Sequence, residues 1–466
     1  MQKAGPHRLP KTDGAALLLS LYIRLADKGD DIVNIKLKKA LCPLTAMLLI
    51  MTLCGGMIAD AEGPADFVPA LDTDAACELR VVGSYTNFEA LEAVFDDFNG
   101  VYPNVVLNYS PLDDYNERIV GALAQDSPNI FFTASWMADM EVYAPLFEAA
   151  EDLADPALGL DLGCIREGLL FRDASGRVPM APIFSTSYGM LVNEALFAEH
   201  DIAIPRSYAE LPEVCRAFRA AGFDTPVLGY FKDDNPMICA LAYPDFCGRL
   251  KGDPEAVEAL NSEAPGAEEH MRPTLELVKD FMDSGCVNTE ACRSLEDNYN
   301  RMILRFFEGD IPMLFCGGDA VSGTAKRESR SEAFTARPFP YSFHPIPVTE
   351  KGGWFVQLVP VAFSVNANCE NLDMTNEFMR FLLCTEELNE MARVKHLMTV
   401  SADFRLEGVW APFGEADEAH TVCVEALGLH DAAAAQLRAA AAAVADGSMG
   451  VEEAIAACGH PAEPEG

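Results

Sequence analysis

From Glu78 onward the hydrophobic positions fall into two alternating periods. Residues 79–82 form a short β-rich run that ends at Gly83, and Phe88, Leu91, Phe95 and Phe98 then recur at helical spacing. Thr86 or Asn87 stands where a helix cap is wanted. Residues 105–109 read as a second strand, 114–124 as a helix with Ile119 and Leu123 inward, and 129–133 as a third strand. Strand, helix, strand, helix, strand in so short a stretch predicts right-handed crossovers and a parallel sheet. Ligands of such sheets sit beyond the carboxyl ends of the strands, which places Ser84-Tyr85 and Ala134-Ser135-Trp136 with Asp139 at a cleft rim.

Further along, 177–182 is extended and proline-bearing, 189–193 is strand-like, and 194–199 opens a helix. Residues 208–221 are amphipathic, with Leu211, Val214, Cys215 and Phe218 on one face and Gly222 as the stop. The stretch 232–266 is acidic and broken by Pro and Gly, and its Asp233-Asp234-Asn235 cluster reads as a solvated loop. Helical periodicity returns at 274–284 and 295–308, and 311–315 is a buried-type strand leading into Gly317-Gly318-Asp319. Residues 334–353 read as loop, 354–366 as a long strand, and 374–383 with 386–394 as paired helices. The alanine-rich run 431–446 is a helix ended by Gly447, followed by a last short helix over 451–457.

Composition narrows the function. The 466 residues carry 72 Asp+Glu against 34 Lys+Arg, a net charge of −38, so a nucleic-acid partner is not expected. Half the residues are hydrophobic and 23% are charged, ordinary values for a folded chain with a sizeable core. Before that core, Lys36, Lys38 and Lys39 precede an apolar run over 41–58, the layout of an export signal and short for a membrane span. Residues 1–61 are therefore read as a leader. Ala59-Asp60-Ala61 offers a cleavage site, Cys54 in Met51-Thr52-Leu53-Cys54 offers a poor lipidation site, and translation is expected to begin near Val33. Either route leaves the body of the protein outside the cytoplasm, at the cell surface or in the periplasm. Of 14 cysteines, twelve follow the leader. Cys239 with Cys247, and Cys286 with Cys292, are close in sequence, but spacing does not fix a pairing. None forms C-x-x-C and the histidines show no H-x-x-x-H, so no metal or other cofactor is expected.

Four segments carry a family resemblance. They are Val178-Pro179-Met180-Ala181-Pro182 with Gly189-Met190-Leu191-Val192-Asn193, Leu196-Phe197 and Ile204-Pro205; Glu308-Gly309-Asp310-Ile311-Pro312-Met313; Phe363 to Asn366 with Glu377-Phe378-Met379-Arg380-Phe381-Leu382; and Asp446-Gly447-Ser448-Met449 with Val451-Glu452-Glu453-Ala454. Taken in this order, they resemble the extracellular solute-binding proteins of ABC importers, in the sugar-binding, maltose-binding-like branch. The resemblance spans nearly all of 78–458. It implies an α/β, two-lobed periplasmic-binding-protein-like fold of type II, with hinge-linked lobes closing over a central ligand cleft. Lobe one is placed at 78–181 plus 360–412 and lobe two at 182–358 plus 413–458. The implied partners are a small-molecule solute, a carbohydrate first, and a membrane permease pair with its cytoplasmic ATPase. The chain itself is expected to be a monomer.

Trp136 leads the candidate ligand contacts, because an indole covers the C–H face of a sugar, and Asp139 is the carboxylate three residues on that accepts its hydroxyls. Packing of Trp136 beneath the following helix is the competing role. Tyr85 at the first strand end, Ser185 and Ser187 at the crossover, Asp319, and Trp354 beside Gly352-Gly353 complete the set. Gly317-Gly318-Asp319 stands where many sugar binders carry a tryptophan, and Trp136 with Asp139 and Asp319 would also suit polyamine capture on the same fold. Thiaminase I also resembles these binders. Its cysteine nucleophile has no counterpart in Phe184-Ser185-Thr186-Ser187, and the chain lacks G-x-S-x-G, G-x-x-x-x-G-K-[ST] and H-E-x-x-H. A binder, not an enzyme, is the expectation.

Overall fold

A computed structural model of the chain describes residues 67–231, 236–295 and 298–459. The leader over 1–61, with Cys54, and the cluster Asp233-Asp234-Asn235 lie outside the described residues. Strands β1 (Cys77–Gly83), β2 (Val105–Pro111) and β3 (Ile130–Thr133) pair in parallel, β1 between the other two. The crossovers are helices Glu89–Val101 and Tyr115–Asp126. The first buries Leu91, Val94, Phe95 and Phe98, one apolar stripe facing the sheet.

The chain then forms β4 (Ala181–Thr186), β5 (Tyr188–Asn193), β6 (Val227–Leu228), β7 (Met313–Gly317), β8 (Tyr341–His344), β9 (Phe355–Val365) and β10 (Thr421–Cys423). One sheet runs β10-β9-β3-β1-β2 with β4 also on β9, and the other runs β6-β7-β5-β8. β4 and β5 belong to different sheets with Ser187 alone between them, so the chain passes from one sheet to the other at that residue. β9 is antiparallel to β3 and β4 and parallel to β10, and the β4 register shifts on either side of Phe184. Aromatic pairs pack against both sheets within one continuous core. Phe132 stacks on Phe363 at 5.3 Å beneath the first, and Phe281 on Phe315 at 5.5 Å beneath the second.

The structure corrects the reading of 232–266 as broken sequence. Helix Pro236–Leu250 runs through Pro244 and buries every residue except Pro236 and Arg249. A helix that is apolar all round carries no 3.6-residue stripe, so periodicity does not reveal it. Its buried Asp245 accepts from Thr274 Oγ1 at 2.7 Å and Arg249 Nε at 2.6 Å. Gly248 is required, because a Cβ there would overlap the Trp354 indole. β8 likewise lies within the stretch read as loop. Cys286 sits against the Cys215 thiol, not against Cys292, and no disulfide joins the cysteines among the described residues.

Candidate functional site

β3 is buried along its whole length and delivers the short 3-10 turn Ser135–Asp139 at its carboxyl end. That turn opens onto a cavity of about 630 Å³. Trp136 lines it, braced edge-on by Tyr143 at 5.5 Å, and Phe147 and Phe171 add apolar wall from the same side. Tyr243 enters from helix Pro236–Leu250, and Glu425 and Asp431 from the helical turn Val424–Leu427 and the start of helix Asp431–Asp446. Asp139 also bridges the cavity mouth. Its Oδ2 accepts the Asp431 backbone N–H at 3.3 Å, supplying at that helix N-terminus the cap that His430 does not.

Charge in the cavity is partly committed. Arg177 donates to the Ala150 carbonyl at 2.6 Å and faces Asp173 at 3.8 Å, and Asp431 accepts from Arg438 at 3.0 Å. Glu425 differs. Its Oε1 accepts the Val359 backbone N–H at 3.1 Å, and its Oε2 is buried. Burial pushes this carboxyl up to about 7, against the pull of the Val359 amide and the Ser135 hydroxyl.

Trp136 and Asp139 are thus brought together on one turn. The other sequence candidates do not line this cavity. Tyr85 packs edge-on against Phe88 at 5.1 Å under Lys395, whose Nζ lies 3.9 Å above its ring. Burial, then Tyr109 and the Asp319 carboxylate, push its hydroxyl up. Ser185 and Ser187 are buried at the passage between sheets. Ser185 bonds Met398 through its backbone and leaves Oγ without a partner, while Ser187 Oγ donates to the Tyr188 carbonyl at 3.1 Å. Asp319 is exposed beside Gly317-Gly318, where the Gly318 amide donates to the Ser187 carbonyl at 2.7 Å. Trp354 lies against Gly248 and packs 5.3 Å from His420, with its Nε1 buried and unpartnered. Tyr243 and Glu425 were not found by pattern. The first sits in the helix without a stripe, and the second is one acid among 72 acidic residues.

A sequence model described as bacterial extracellular solute-binding protein matches residues 93–421. The chain belongs to this family. No curated protein matches it, but solved structures do. RafE of Streptococcus pneumoniae in its apo form superposes with a TM-score of 0.62 at 15% identity, covering 84% of this chain and 98% of that one. The GacH receptor of Streptomyces glaucescens, solved unliganded and with acarbose, gives 0.62 at 19% identity, with 83% and 97% covered. A sugar transporter protein of Bacillus licheniformis in complex with stachyose gives 0.59 at 13%, with 82% and 98% covered. The solute-binding protein therefore has the two-lobed, maltose-binding-type α/β fold, and its family consists of binding proteins. Among its described residues no helix is long and apolar enough to cross a membrane.

Proposed function

We propose that this solute-binding protein is the extracytoplasmic substrate-binding component of an ABC importer and captures a sugar or oligosaccharide by lobe closure. One observation carries the reading. The Trp136 indole and the Asp139 carboxylate, three residues apart on one turn, open onto the same cavity of about 630 Å³, which Tyr243 and Asp431 wall from helices packed beside the second sheet. That volume lies within the range of small-molecule sites. Aromatic faces on C–H surfaces with carboxylates on hydroxyls is the chemistry a saccharide needs. RafE has been solved with raffinose and the Bacillus licheniformis protein with stachyose, which supports the same class of ligand here.

The lobes expected at 78–181 plus 360–412 and at 182–358 plus 413–458 are adjusted by strand pairing, since β4, all of β9 and β10 lie in the first sheet, so the hinge is placed where β4 gives way to β5. Tyr85, Ser185, Ser187 and Asp319 then line the hinge side of the cleft and complete the ligand contacts on closure, and Trp354 supports the wall behind Tyr243. The protein acts as a non-enzymatic monomer outside the membrane, held by a lipid on Cys54 or released after Ala61, and hands its solute to a permease pair driven by an ATPase. A thermal-melt screen against raffinose, stachyose, acarbose, spermidine and thiamine tests this. Saccharide at 100 times its dissociation constant is expected to add about 2.7 kcal/mol. A shift with spermidine or thiamine and none with the saccharides would contradict it.

A further inference from the structure

We propose that Cys215 and Cys286 close into a disulfide in the exported protein, stapling helix Glu210–Ala220 to the segment that flanks the end of the second sheet. Closure rests on the export named above, because thiols meet an oxidising compartment outside the cytoplasm, and on nothing about the solute. Cys215 lies on the buried face of its helix with Leu211, Val214 and Phe218. Cys286 follows helix Arg272–Asp283, and its neighbour Val287 bridges Val227 of β6, the end strand of that sheet. Both side chains are buried and their thiols are in contact.

The two segments are held together on either side of the pair. Tyr208 donates its hydroxyl to Asp280 Oδ2 at 2.7 Å just before the helix, and a Cβ on Gly285 would lie 3.0 Å from Arg219 Nη1, one turn after Cys215. The Cys286 N–H donates to Ser284 Oγ at 3.2 Å, fixing the turn that carries the thiol. Contacts that bracket the pair in this way keep the two backbones within reach of one bond. The spacing-based alternative is out of reach. Cys239 and Cys247 lie on one helix about 12 Å apart along its axis, beyond the roughly 7 Å that a disulfide spans between Cα atoms.

The bond forms by exchange with a disulfide oxidant while the chain folds and the thiols are still reachable. One thiolate attacks the oxidant's disulfide, making a mixed disulfide and releasing one oxidant thiol. The second thiolate then attacks the sulfur of the first cysteine and releases the other. The two cysteines are oxidised, the oxidant is reduced, and its two thiols carry away the two protons. The resulting loop of about 70 residues restricts the unfolded chain, so the bond stabilises the fold.

The test is peptide mapping of the full chain, refolded from urea with oxidised and reduced glutathione, alkylated without reduction and read by mass spectrometry. The expected product is a Cys215–Cys286 linked peptide in most molecules, with a melting temperature that falls by at least about 3 °C on reduction. C215S should leave Cys286 unlinked and the melting temperature unchanged by reductant. Mapping of the wild type needs no variant, so it decides even if C215S does not fold. Alkyl or glutathione adducts on both cysteines of the refolded wild type, or linkage of Cys286 to any other cysteine, would overturn the proposal. A linked pair whose reduction leaves the melting temperature unchanged would overturn the staple. Neither readout uses a saccharide, so failure here is distinct from failure of the proposed function.

Discussion

Among the described residues two carboxyls, Glu387 and Glu425, keep their protons well above the ordinary range, and the first gives the residue scale its sharpest test. Glu387 is pushed up to about 8 by burial and by the charges of Asp97, Glu390 and Glu386, and its Oε2 has no partner. A raised carboxyl binds its proton more tightly folded than unfolded, so stability is greatest at low pH and declines from about 4.5 up to the folded value. E387Q should therefore raise the melting temperature at pH 8 and leave it nearly unchanged at pH 4. The gain at pH 8 should be on the order of 2 kcal/mol after allowance for solvent screening. Equal melting shifts at both pH values would refute the assignment. For Trp136, half-exposed and held mainly by the edge of Tyr143, truncation should act on binding. W136A should cost saccharide affinity about tenfold, read by calorimetry, with little change in ligand-free stability.

At the scale of elements, legibility followed the contrast between faces. Helix Asp431–Asp446 matches its expected bounds, since alanine propensity and Gly447 as the stop are local signals. The β1–β3 unit was equally readable, because β3 is apolar through Phe132 and the helices before and after β2 each carry one apolar stripe. Helix Pro236–Leu250 was not, since burial on all sides erases the period and Pro244 argues against it. The site followed the same rule. Trp136 and Asp139 were visible as an aromatic and an acid at a strand end, whereas Tyr243 and Glu425 are supplied by tertiary structure. The close approach at Gly248 belongs here as well. G248A would force its Cβ into the Trp354 indole, and a loss of about 1–3 kcal/mol is expected by urea unfolding. No loss would mean that the ring moves freely and that the contact positions nothing.

For the whole molecule, the decisive feature is that the chain passes between its two sheets through a single residue, Ser187. The cavity draws its walls from elements on both sides, including the hydrogen bond from Asp431 to Asp139. A ligand touching both sides favours the closed arrangement by its differential affinity. Saturating saccharide should therefore reduce the radius of gyration in small-angle scattering, and W136A should need more saccharide for the same change. The most direct measurement remains calorimetric titration of wild type and W136A with raffinose, stachyose and acarbose. Saturable one-site binding of at least one of these saccharides, weakened in W136A, is the predicted result. Binding untouched by W136A, or no saccharide binding at all, would contradict the account.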